Sequence, residues 1–151
     1  MRELSVEQFS QELATIARRG QTESAADALG QCRPVVLQGI SSNFERAQSP
    51  AGTPWKPRKV LGDGHPLLQE TGALRAAAAG NGAGHVDILE ARSLTVGVDL
   101  DGGPASLKGA RAHNEGYPPN LPQREFLGVP EKTVEACRDI IAETMLKKLW
   151  G

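Results

Sequence analysis

Apolar residues recur at helical spacing in three parts of the chain. Val6, Phe9, Leu13 and Ile16 are separated by steps of three and four, which puts them on one face of a helix. Ser5-Val6-Glu7-Gln8 has the S-x-x-Q form of a capping box, and Gly20 follows the stripe, so a short amphipathic helix is predicted over residues 1–21. Leu29, Cys32, Val36, Ile40 and Phe44 form a second stripe, with Glu45, Arg46 and Gln48 at its polar end. Pro34 interrupts it. An interior proline removes one helix bond and clashes with the preceding turn, so a kink or break is expected near Arg33, with two helical pieces at 22–32 and 34–47. The clearest stripe is the last: Val134, Cys137, Ile140, Ile141, Met145, Leu146 and Leu149. Pro130 stands where a helix accepts its first residue, and Glu131 beside it favours the positive end of the dipole.

Between the second and third stripes the pattern shortens. Residues 48–66 are mostly Pro, Gly, Ser, Lys and Asp, which predicts a long loop with Trp55 as its anchor. Residues 66–79 regain helical character: Thr71 can cap and Leu74-Arg75-Ala76-Ala77-Ala78-Ala79 has high propensity, although a strand start also fits. Gly80-Asn81-Gly82 ends that segment. Residues 85–90 and 93–98 are short, partly alternating and rich in β-branched side chains, and Ala91-Arg92 between them predicts an antiparallel hairpin. A turn at Asp101-Gly102-Gly103-Pro104, weak helical character over 105–115 and a stiff loop from Gly116 to Pro122 complete the chain. The expected fold is α+β: a small antiparallel β-sheet packed with N-terminal helices and a long C-terminal helix, joined by extended proline-rich loops, in one domain over 1–151. No internal repeat is visible.

Composition supports a modest core. The 151 residues suit one hydrophobic centre, but aromatics make up only 4%, and 17 Gly and 10 Pro imply much loop. A net charge of −1 with interspersed signs gives no broad basic field for a nucleic-acid backbone or an anionic membrane. Met1-Arg2-Glu3-Leu4 does not begin a signal peptide, and no apolar run is long enough to span a bilayer. A protein made and used in a cytosol is expected. Cys32 and Cys137 lack CxxC spacing and fall at apolar helical positions, as buried, reduced thiols do.

Candidate chemistry is sparse. His65, His85 and His113 are the only histidines, and none forms H-x₃-H or H-E-x-x-H. His113-Asn114-Glu115 resembles the His-Asn element of metal-dependent nucleases, where imidazole activates water beside a cation, but no His or Cys cluster completes such a site. Gly-x-Ser-x-Gly is absent. Gly80-Asn81-Gly82-Ala83-Gly84 follows a helix and precedes a strand, the reverse of a phosphate-binding order, so a flexible connector is expected. Trp55, set among Pro50, Pro54 and Pro57, sits on a stiff segment and suits either a core or an interface. Arg124 with Phe126 could be a docking pair or a strand edge with one buried ring. Trp150 could pack on the core or fit a neighbouring chain.

Read in order, Asn43-Phe44, Ser49-Pro50-Ala51-Gly52-Thr53-Pro54-Trp55, Leu68 to Arg75, Val96-Gly97, His113-Asn114-Glu115-Gly116 and Pro122 to Gly128 resemble the phage virion morphogenesis family, the tail-completion and neck proteins of Mu-like tailed phages. Ala112-His113 replaces the family's Ile-His, and Glu125-Phe126 stands for its proline-aromatic pair. The resemblance implies a structural, non-enzymatic virion protein at the head–tail junction or proximal tail end, assembled in the host cytoplasm as a ring of identical subunits. Neck, tail terminator or tail tube proteins are its implied partners. It implies no cofactor, metal, membrane or sequence-specific nucleic acid, and at most a passive lining of the DNA channel. The expected contact residues are Pro54, Trp55, Arg124 and Phe126, with Thr71, Gly72 and Arg75 positioning the Trp55 loop. Two alternatives remain: a small metal-dependent nuclease using His113 and Glu115, and a prophage-encoded protein-interaction domain.

Overall fold

The computed structural model describes residues 6–58, 67–69, 72–101, 104, 107 and 109–150. Along them run α1 (Val6–Arg46), α2 (Ala73–Ala78), β1 (His85–Leu89), β2 (Leu94–Val98), α3 (Ala110–Glu115) and α4 (Glu131–Trp150). The strands form a two-stranded antiparallel sheet with Leu89 opposite Leu94 and His85 opposite Val98. The architecture is α+β, with a long C-terminal helix as the apolar stripe predicted.

The amino-terminal half departs from expectation. α1 is one helix of 41 residues, about 60 Å at the usual rise, and it passes through both Gly20 and Pro34 without ending. The predicted cap residue Ser5 lies outside the described residues, as do the side chains of the Val6–Ile16 stripe. Pro34 forfeits one backbone bond, but α4 packs against α1 on both sides of it. Cys32, two residues before the proline, donates its Sγ–H to the Cys137 carbonyl at 3.6 Å. Gly39, five residues after, lies so near Thr133 that an added Cβ would stand 2.7 Å from Thr133 Oγ1. At the far end the Lys148 ammonium meets Asp27 at 3.2 Å. The two helices are thus antiparallel and zipped from residue 27 to residue 39, and that packing holds the helical path which the proline alone would break.

α4 turns Thr133 and Thr144 inward, both buried, with Cys137 and Ile140 between them on the same face. Leu146 is left exposed, so the helix is packed on one side only. α2 begins from Gly72 in a left-handed conformation with no side-chain cap; Thr71, expected to cap, lies outside the described residues. α3 is shorter than the predicted 105–115, starting after Gly109.

The core is small and drawn from the chain between the end of α1 and Phe126: Ile40 and Phe44 of α1, Trp55, Ala77 and Ala78 of α2, Val98 of β2, Leu107, Ala110 of α3, and Phe126. Phe44 is its hub. Trp55 meets it edge to face with centroids 5.7 Å apart, and Phe126 lies 5.5 Å away on a tilted plane; each such pair adds about 0.5–1.5 kcal/mol beyond its buried area. The glycine-rich segment after α2 is a bonded turn, not the flexible connector expected. Asn81 N–H donates to the Ala76 carbonyl at 2.9 Å, and the His85 ring to that of Ala77 at 2.8 Å. Gly82 lies on the α2 backbone, where a Cβ would stand 2.7 Å from Ala77 N.

Candidate functional site

The sequence elements singled out above meet around one irregular segment, residues 124–128. Ahead of it, the loop after α1 folds back in a tight turn. Ser49 N–H donates to Thr53 O and Gly52 N–H to Ser49 O, both at 2.8 Å, while Ser49 Oγ accepts from Thr53 N–H at 3.1 Å. Gln48 and Pro54 pair as an isolated bridge, and Trp55 N–H returns to the Ala47 carbonyl. The turn leaves Ala51, Gly52, Thr53 and Pro54 exposed and drives Trp55 inward to 6% exposure. The indole Nε1–H donates to the Glu125 carbonyl at 2.9 Å. Trp55 is therefore an internal anchor of the fold, and its ring is not displayed on the surface.

Arg124 is also inside. Its guanidinium Nε donates to the Lys56 carbonyl at 2.9 Å and Nη2 to that of Pro57 at 3.2 Å, so it ties the end of the Trp55 loop to the 124–128 segment. Burial, with Arg58 nearby, pulls its pKa below the usual arginine value. Phe126 is fully buried. Two asparagines complete the lock. Asn43 Nδ2 donates to the carbonyls of Phe126 and Gly128, both at 3.0 Å, and Asn114 Oδ1 accepts from the N–H groups of Phe126 and Leu127, both at 3.1 Å. Pro50 closes over Gly128, where an added Cβ would stand 2.7 Å from Pro50 Cγ.

Neither asparagine was among the expected contact residues, although both lie in the quoted stretches. The available signal was an amide side chain beside a buried aromatic, in a chain with few polar groups at apolar positions. Arg75 reaches Gln69 Oε1 at 2.9 Å and Glu45 at 3.5 Å, so it braces the end of α1, two residues before the loop begins. Gly72 starts α2 in a left-handed conformation, and Thr71 is outside the described residues.

Of the alternative nuclease pair, Glu115 is engaged by an arginine and His113 is half-buried. Glu115 is held by Arg111 at 2.6 Å, and Arg111 also grips Asp101, whose carboxyl is held below the usual range by those hydrogen bonds. The pKa of His113 is lowered by burial and then by the Arg124 charge. A cation bound beside His113 would meet that same guanidinium, and among the described residues no group of three or more His, Cys, Asp or Glu is placed to hold a metal. No described helix is long and apolar enough to cross a membrane.

What the surface offers is shape. A shallow groove of about 490 Å³ runs between α1 and α4, lined by Pro34, Gln38, Ser42, Lys132 and Ala136 among others. A second recess of about 460 Å³ continues it past Arg46 to Pro50, Ala51 and Gly52, so the Ser49–Pro54 turn forms its rim.

In comparison with known proteins, the sequence model of the phage virion morphogenesis family matches residues 4–146. No curated protein and no solved structure gives a match.

Proposed function

The chain belongs to the phage virion morphogenesis family, and from that membership we propose that it is a structural subunit for tail completion or head–tail joining in a tailed phage. In this reading identical copies close into a ring that contacts neck, tail terminator or tail tube proteins. The ring sits at the head–tail junction or the proximal tail end, after assembly in the host cytoplasm. A closed ring needs one face of each subunit to fit a different face of the next.

The observation that carries the reading is the rigid Ser49–Pro54 turn. It is exposed at its tip and fixed from inside by Trp55, Arg124 and Phe126. Of the expected contact residues, Pro54 is then a direct contact, and the three buried ones act by holding the turn in place. Gly72 and Arg75 set α2 and the end of α1 behind it. Preorganising a loop in this way lowers the ordering cost of association. With a net charge of −1, any contact with DNA is passive lining of a channel.

The test separates folding from assembly. Trp55→Ala or Arg124→Ala disturbs the core, so surface variants Ala51→Glu and Thr53→Arg are the informative ones. They are expected to keep the wild-type melting midpoint while electron micrographs of complemented particles show unjoined heads and tails or tails of abnormal length. Intact, joined particles carrying either variant would sink the proposed role of this turn.

A further inference from the structure

The two cysteines are 105 residues apart in sequence yet adjacent across the α1–α4 seam. Cys32 Sγ–H donates to the Cys137 carbonyl at 3.6 Å, which sets the two residues side by side across the seam. Cys32 is 2% exposed, whereas Cys137 is half-buried and open to solvent on one side. Nothing in the aromatic core or the 124–128 lock uses either thiol. Gly39, seven residues on from Cys32, lies against Thr133 in the same seam.

We propose that Cys32 and Cys137 are a latent cross-linking site, closed to an intramolecular disulfide between α1 and α4 by exchange with a small-molecule disulfide. In the first step the Cys137 thiolate, the more accessible, attacks one sulfur of the oxidant. The oxidant's S–S bond breaks, one small thiolate leaves and takes up a proton, and Cys137 carries a mixed disulfide. In the second step Cys32 gives its proton to solvent and attacks Cys137 Sγ, expelling the second small thiolate. Two protein thiols are oxidised and one small disulfide is reduced to two thiols. Burial and the neighbouring Cys137 push the Cys32 pKa up to about 11, so Cys32 is a poor first attacker. Its role is the second, intramolecular step, which proximity favours. The bond would fasten the longest helix to the last one and restrict the unfolded chain across a long loop.

The timing of closure rests on the virion reading above. A subunit made in a reducing cytosol keeps its thiols, and a released particle meets an oxidising medium, so the staple sets after assembly.

The test incubates the folded soluble protein with oxidised glutathione and maps it by mass spectrometry without reduction. The expected product is a peptide pair joined through Cys32 and Cys137, with no glutathione retained and a melting midpoint raised by on the order of 10 °C. Cys32→Ser should stop at a glutathione adduct on Cys137, and Cys137→Ser should leave Cys32 unmodified while folded. A persistent adduct on Cys137 in the wild type, or chains linked to one another through Cys137, overturns the cross-link whatever the protein's function. A cross-link that forms in the soluble protein, with both thiols still open to alkylation in denatured purified particles, overturns the timing alone.

Discussion

Asn43 and Asn114 both hold residues 126–128, one donating to carbonyls and the other accepting from N–H groups. A buried carbonyl stripped of its partner loses the hydrogen bond without recovering water. Asn43→Ala is therefore expected to destabilise the fold by about 2–4 kcal/mol, read as a shift in the urea midpoint at unchanged slope. His113 contributes a pH dependence. Its folded pKa lies below the ordinary 6.5 because burial and Arg124 disfavour the imidazolium. Above pH 6.5 both folded and unfolded states are neutral and the contribution is complete; as pH falls from there through the folded value the unfolded chain takes up the proton first, and stability is lost. His113→Gln should flatten this slope between about pH 7 and 5 in denaturation midpoints; an unchanged slope would mean that His113 is not its source. The sequence marked Trp55, Arg124 and Phe126 as important but could not say which way they point. Flanking prolines fix backbone angles, whereas the direction of the indole depends on a carbonyl seventy residues later, at Glu125.

Between helices, the α1–α4 seam depends on one missing side chain. Gly39→Ala would press a methyl against Thr133 Oγ1 and Cγ2, at 2.7 and 3.0 Å, and is expected to cost about 1–3 kcal/mol by forcing the helices apart. Thr133→Ala removes both atoms, so the double variant should recover most of the loss of the Gly39 change. Additive losses in that cycle would show that the crowding lies elsewhere. This seam also explains which elements could be read in advance. α4 was legible because its stripe, its proline at the start and its acidic first turn agree with one another. The hairpin was legible from alternation and a two-residue break. The continuity of α1 was not, because the penalty of Pro34 is local whereas the packing that offsets it comes from residues 129–137. The glycine-rich turn was not legible for a similar reason: composition suggests freedom, and only the fold shows Gly82 seated on the α2 backbone.

For the whole molecule, the core is a single aromatic hub with small residues around it, as low aromatic content implied. Much else is long helix and bonded loop. Among the described side chains of α1, Gln11, Ala14 and Arg18 are all exposed, and burial begins at Ser24. With a net charge of −1, long-range repulsion or attraction between copies is weak. The proposed subunit contact should accordingly respond little to salt. Association constants from sedimentation at about 0.05 and 0.5 M NaCl are expected to agree within roughly threefold, and a loss of about tenfold or more would mean that ion pairs hold the ring. Six ordered sequence elements made the family legible, and no single one of them did. The partner of the proposed assembly was not legible, since the exposed turn at Ala51–Pro54 carries no distinctive residue type. The two tryptophans, 6% and 86% exposed, lie in opposite surroundings, Trp55 in the hub and Trp150 in water. The chain thus carries two built-in optical probes: a water-soluble quencher should dim Trp150 first, while Trp55 shifts its emission only when the hub opens, so that events at the end of α4 and loss of the fold can be told apart in one unlabelled sample.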